Sequence, residues 1–183
     1  MSELKRYIIV AGISGAGKST LYRARPELFT HSKRLNADEI LQKMGGDWRK
    51  DRDNFRAMRD KTIPAALDIG RSIHVETTLA GQGRAQLNLI DLAHQNGFEV
   101  TLLYVALKNE KVTINRVHER VKKGGHGVPD EVVKKRYNQS NHNLAAVAFK
   151  ADNVVICDNS QKFVSVYRRE HDQVIKNNLR DFP

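Results

Sequence analysis

The 183-residue chain has one cysteine, Cys157, so a disulfide framework and a cysteine-rich zinc site are both excluded. No His/Cys metal spacing and no Ser-His-Asp signature can be argued from the sequence. No apolar run approaches the length of a membrane span. The one N-terminal apolar stretch lacks a separate leader core and a small-residue cleavage site, which predicts a cytoplasmic protein. An Asn-Lys-x-Asp segment is missing, which argues against a guanine-specific GTPase. Aromatic residues make up 7% of the chain, and the most basic segment, Lys108 to Arg136, contains none. That segment therefore offers no stacking platform for single-stranded nucleic acid. Repeats, low-complexity tracts and linkers are also missing, so a single domain spanning 1–183 is expected.

What is present is positive charge and a phosphate motif. Lysines and arginines number 31 against 21 acids, a net charge of +10. Between Lys108 and Arg136 lie nine Lys or Arg and four Asp or Glu, so half the excess sits in about a sixth of the chain. A stripe of that kind suits a nucleic acid, a lid that clamps triphosphates, or a plain solvated face.

Gly12-Ile13-Ser14-Gly15-Ala16-Gly17-Lys18-Ser19 matches the phosphate-binding P-loop pattern G-x-x-x-x-G-K-[ST] at every specified position. The apolar run Tyr7 to Ala11 before it predicts a buried parallel strand, and Ser19 to Arg25 predicts a helix. The motif assigns Gly12, Ser14, Gly15, Ala16, Gly17, Lys18, Ser19 and Thr20 to nucleotide binding. Backbone N–H groups and a helix N-terminus would face the phosphates. Lys18 would reach the β- and γ-phosphates, and the Ser19 hydroxyl would ligate Mg2+.

The remaining pattern alternates strand and helix, which predicts an α/β P-loop NTPase fold, a mostly parallel sheet with helices on both faces. Strands are expected at Arg6–Ala11, Lys33–Asn36, Arg71–Val75, Phe98–Leu107 and Asp152–Cys157. Helices are expected over Asp47 to Gly70 with a kink at Pro64, then Gln86–Gln95, Lys111–Lys123, Asp130–Phe149 and, closing the chain, Gln161–Leu179. Region 108–136, two helices around Gly124-Gly125-His126-Gly127, reads as a hinged helical lid.

Ligands in such sheets sit beyond the carboxyl ends of the strands. There strand two delivers Asn36 and Asp38, strand three Glu76, Thr77 and Thr78, and strand five Asp158 and Asn159. Asp38 is the candidate general base for a phosphoryl acceptor hydroxyl, or else the cap of the helix that begins at Glu39. Glu76 is a candidate magnesium-side acid or acceptor contact. Asn36, Thr77 and Thr78 are candidate acceptor contacts. Arg116 and Arg120, one turn apart, and Arg136 are candidate clamps on transferred phosphate, or ordinary surface arginines. His126 reads as a turn or lid contact.

Taken together, the P-loop, Asn36-Ala37-Asp38, Glu76-Thr77-Thr78-Leu79-Ala80-Gly81, Arg116-Val117-His118-Glu119-Arg120-Val121, Gly124-Gly125-His126-x-Val128-Pro129 and Arg136-Tyr137 resemble the zeta-toxin-like P-loop kinases. The resemblance runs from Tyr7 to about Asn159 and is closest to compact bacterial members. It implies ATP and Mg2+ as cofactors and transfer of the γ-phosphate to a hydroxyl of a small molecule. In zeta toxins proper that acceptor is UDP-N-acetylglucosamine. It also implies Asp38 as the catalytic acid–base residue, Glu76 near the acceptor, and Lys18 with the three arginines around the phosphates. The arginine spacing departs from that of the toxins. The alternatives are a kinase or ATPase acting on nucleic acid, and a toxin-type ATP-binding protein held by an antitoxin partner.

Overall fold

The computed structural model describes residues 4–35, 58–81, 83–124 and 127–181. Asn36, Asp38 and His126 lie outside them, as does most of the helix expected before Met58.

Chain order is β1 (Arg6–Ala11), α1 (Lys18–Ala24), β2 (Lys33–Leu35), α2 (Ile63–Asp68), β3 (Ile73–Thr77), α3 (Arg84–Gln95), β4 (Glu99–Ala106), α4 (Glu110–Lys122), α5 (Asp130–Lys150), β5 (Asn153–Asp158), β6 (Val164–Glu170) and β7 (Gln173–Asn177). The seven strands form one sheet in the order β2-β3-β1-β4-β5-β6-β7. The first five run parallel. β1 lies between β3 and β4, so the P-loop leaves the sheet at its middle.

Alternation along the strands sorts the core onto two faces. Tyr7, Ile9 and Ala11 of β1 join Val100, Leu102 and Tyr104 of β4 under side chains of α2, α3 and α5. Ile8 and Val10 join Leu103, Val105 and Leu21 of α1 on the other face, with Val112 of α4 packed against them. The helix ends follow local chemistry. Asn109 caps α4, its Oδ1 accepting from Val112 N–H at 3.0 Å, while Arg120 and Lys122 sit in the last turn, where the helix dipole favours cations. Asp130 and Glu131 occupy the first turn of α5.

The expected closing helix over Gln161–Leu179 is corrected. This stretch forms the antiparallel hairpin β6–β7, and β6 pairs with β5. The apolar spacing of Phe163, Val166, Tyr167 and Val174 imitates a helical stripe. Val164, Val166 and Tyr167 are also β-formers, and the open edge of β5 supplies a ladder that an isolated helix here would leave unsatisfied. Val166 is thereby buried at the sheet edge.

Two further boundaries differ. β3 runs two residues beyond the expected end, because Val10 pairs with Glu76 and Ala11 with Thr77. Glu76 and Thr77 are therefore part of the strand and not of the loop after it. Pro64 falls where a π-helical turn, Met58–Thr62, passes without a break into α2, so the regular helical ladder is altered in the turn just before the proline, which has no N–H to donate.

Candidate functional site

The P-loop bends as its glycines allow. Gly12 has φ of 143°, and a Cβ there would meet the Val105 carbonyl at 2.6 Å. Gly17 has φ of 98° and would drive a Cβ to 2.3 Å from Asn159 Nδ2. Ser14 and Gly15 are half-buried in the loop, and Ala16 is buried. The Ala16 amide donates to the Ile13 carbonyl at 3.0 Å, and that of Thr20 donates to Gly17 at 2.9 Å. Lys18 opens α1, and Ser19 follows it, exposed. Lys18 Nζ donates to the Gly12 carbonyl at 2.7 Å and to that of Ile13 at 3.4 Å, so the ammonium folds over its own loop. A triphosphate would compete with these two carbonyls for the charge.

Two side chains brace the loop from outside. Asn159, just past β5, donates from Nδ2 to the Ala16 carbonyl at 2.8 Å. Arg116 of α4 reaches the Gly15 carbonyl at 3.4 Å and that of Ser160 at 3.2 Å, and it also donates to the Asn159 carbonyl. Arg116 is therefore brought onto the P-loop. Arg120 is exposed one turn further along α4, and Arg136 is half-buried on α5.

The end of β3 is fastened to the same loop. The Gly12 amide donates to the Thr77 carbonyl at 3.2 Å, so the phosphate-binding turn and the Glu76-Thr77-Thr78 segment meet. Glu76 Oε1 accepts from Arg34 at 2.5 Å. Arg34 itself lies 4.8 Å from the centroid of the Tyr22 ring. The Thr77 and Thr78 hydroxyls accept from the Leu79 and Ala80 amides, turning the chain sharply at the strand end. Beyond this turn opens a cavity of about 660 Å³. Its rim carries Glu76, Thr77, Thr78, Arg59 and Arg84, and its floor is apolar, including Leu89 and Val147.

Sequence reasoning did not single out Arg34, Asn143 or His74. A charged residue in a three-residue strand gives no periodic signal, and pairing across β2 and β3 is what puts Arg34 beside Glu76. His74 is buried between α1 and the sheet, its ring 5.6 Å from Tyr22 and 5.0 Å from Phe29. Nδ1 lies 2.8 Å from Ser32 Oγ. Burial, reinforced by the neighbouring Arg34 charge, pushes its pKa down to about 4, against a smaller opposing pull from Glu76.

The unfolded chain thus binds a proton here between about pH 6.5 and 4 where the folded chain does not. The stability tied to neutral His74 is complete above pH 6.5 and falls away as the pH drops toward 4, by about 1–3 kcal/mol in total. Urea unfolding at pH 4.5, 5.5, 6.5 and 7.5 should show a steeper loss for the parent chain than for His74→Phe. Parallel curves would mean that the imidazole does not titrate differently on folding.

For magnesium, Ser19 and Glu76 provide a hydroxyl and a carboxylate, both hard oxygen donors. Among the described residues no group of three or more His, Cys, Asp or Glu could hold a metal ion. Arg34 already engages one Glu76 oxygen, which leaves Ser19 the less encumbered donor.

A family model described as zeta toxin matches residues 2–172. The chain belongs to the zeta toxin family. An uncharacterized protein of Haemophilus influenzae is 36% identical over 146 residues, covering 71% of this chain and 91% of that one. Among solved structures, one from the PezAT chromosomal toxin–antitoxin system of Streptococcus pneumoniae aligns with a TM-score of 0.61. The identity is 19%, over 89% of this chain and 72% of that one. The AvrRxo1-ORF1:ORF2 complex with ATP aligns with a TM-score of 0.73 at 16% identity, over 97% of this chain and 62% of that one. A shikimate kinase from Acinetobacter baumannii, in complex with shikimate, aligns at 0.51 with 19% identity, over 86% and 85%. At these identities the solved structures establish the P-loop kinase fold. Family membership adds support for ATP-dependent kinase activity. No helix among the described residues is long and apolar enough to cross a membrane.

Proposed function

We propose that this zeta-toxin-family chain transfers the γ-phosphate of ATP to a hydroxyl of a small molecule, a nucleotide sugar such as UDP-N-acetylglucosamine. The observation that carries this reading is the hydrogen bond from Gly12 to Thr77. It joins a phosphate-binding loop to the mouth of a cavity of about 660 Å³ with hydroxyl, carboxylate and guanidinium groups at its rim. Such a volume and lining suit a polar small molecule rather than a polymer groove.

In this reading Lys18 and the P-loop amides bind the β- and γ-phosphates. Ser19 holds Mg2+, with Glu76 as the second candidate ligand, and the ion supplies charge neutralisation on the phosphate oxygens. Asn36, Glu76, Thr77 and Thr78 orient the acceptor. Asp38 accepts the proton of the attacking hydroxyl. Arg120 and Arg136 reach the transferred phosphate when the lid segment 108–136 closes, and Arg116 holds the loop from the side. Catalysis is then chiefly positioning and electrostatic stabilisation. The antitoxin-type partner implied by the family likeness would act by covering this mouth. Both PezAT and AvrRxo1-ORF1:ORF2 are two-component systems, which supports asking for one.

The test is incubation with labelled ATP and a panel of nucleotide sugars, small alcohols and oligonucleotides. Label is expected in a nucleotide sugar. Label confined to oligonucleotides would overturn the small-molecule reading. In parallel, oligonucleotides at physiological salt should bind no better than about 10⁻⁴ to 10⁻⁶ M, the ordinary non-specific range. Nanomolar binding that weakens steeply with added salt would instead make the stripe from Lys108 to Arg136 a nucleic-acid surface.

A further inference from the structure

The loop that leaves β3 is held in a costly shape by a different element. Leu79 has φ of 54°, in the left-handed region that a branched side chain resists, and it is 4% exposed. Its conformation is overdetermined from α5. Asn143 Nδ2 donates to the Leu79 carbonyl at 2.7 Å and to the Gly81 carbonyl at 3.0 Å, which uses both of its amide hydrogens. Gln139 Oε1, one turn earlier, accepts from the Gly81 amide at 3.1 Å. Gly83 closes the loop against the same asparagine, where any Cβ would come within 2.7 Å of Asn143 Oδ1. Asn143 is 8% exposed and lines the cavity together with Leu79, Gly81 and Gly83.

The helix that supplies these groups is itself anchored. Val147 is fully buried, and Ser140 Oγ lies 2.9 Å from the Tyr104 hydroxyl on β4. Arg136, Gln139, Ser140, Asn143 and Val147 recur at three- and four-residue steps and so share one face of α5. That helix runs about 31 Å for its 21 residues, from the lid segment down into the core.

We propose that Asn143 and Gln139 are positioning residues of the acceptor site. They pin the chain after β3, at Leu79, Gly81 and Gly83, to α5 and so fix where Thr77 and Thr78 present their groups to the cavity. The inference rests on the reading of that cavity as the acceptor site.

The test compares the parent chain with Asn143→Asp, which keeps the side-chain shape and removes both donated hydrogen bonds. Gln139→Ala removes one bond from a less buried position and serves if the first variant fails to fold. Three readouts are taken: amide hydrogen exchange at 78–83, ATP affinity by titration, and phosphotransfer with UDP-N-acetylglucosamine. Exchange at Gly81 should accelerate by about tenfold or more. ATP affinity should stay within about twofold, and the acceptor KM should rise by about tenfold with a smaller change in kcat. A merely structural asparagine would lower the melting temperature without that KM-against-kcat split. Unchanged exchange in the loop, or a loosened loop with unchanged acceptor KM, overturns the proposal. So does a parallel loss of ATP affinity. If the parent chain transfers no phosphate to UDP-N-acetylglucosamine, the acceptor reading fails by itself. Loop exchange against ATP affinity then decides whether the pinning exists.

Discussion

Lys18→Ala should abolish measurable phosphoryl transfer, a loss of about a thousandfold or more, and weaken ATP binding as well. On the proposed reading, the substitution removes the compact positive charge that would meet the β- and γ-phosphates. Its Nζ rests on the Gly12 and Ile13 carbonyls, so the alanine variant loses two hydrogen bonds inside the loop. Gly12 and Ile13 are buried, so leaving their carbonyls without this donor should lower the melting temperature by the equivalent of about 1–3 kcal/mol while the fold survives. The control is Lys18→Arg, which keeps the charge but carries a planar fork where a point charge is wanted, and it should recover little. Calorimetric titration of ATP·Mg beside a transfer assay reads both effects. Unaltered affinity with intact turnover would remove Lys18 from the nucleotide site and with it the P-loop assignment.

Asp38→Asn should leave the fold and ATP affinity in place and lower transfer by about a hundredfold or more. An acceptor hydroxyl becomes a competent nucleophile as its proton departs, and an amide cannot take that proton. The expectation comes from the sequence, where Asp38 follows strand two and precedes an apolar helical pattern, since the residue lies outside those the structure describes. The competing role, capping the helix that starts at Glu39, has the opposite signature. A lost cap lowers the melting temperature by the equivalent of about 1 kcal/mol and leaves turnover alone. Asparagine is itself a good cap, so Asp38→Asn tests the base alone, and Asp38→Ala is the variant in which a lost cap would lower the melting temperature. Turnover equal to the parent would remove Asp38 from the chemistry.

The phosphate half of the candidate site was legible in the residues because its chemistry is local. Eight consecutive positions carry the loop, and the backbone geometry at Gly12 and Gly17 explains why glycine stands there. The parallel strands were legible for a similar reason, since buried runs such as Val100 to Val105 leave no alternative reading. The hairpin at the C-terminal end was not legible. Its apolar spacing fits both a helix and a strand, and the open edge of β5 is what selects the strand.

The sequence alone determined that this chain carries a P-loop motif, that it builds a parallel sheet around it, and which family it resembles. These follow from contiguous motifs and from periodicities that act within one element. Only the tertiary structure decided which side chains brace the loop, namely Arg116 and Asn159, which lie 101 and 143 residues from the P-loop carbonyls they reach. It likewise decided that Arg34 meets Glu76 and that Asn143 meets Leu79. The physical reason is that these partners are distant in sequence and are joined by strand register and helix packing. Neither leaves a local trace in the residues themselves.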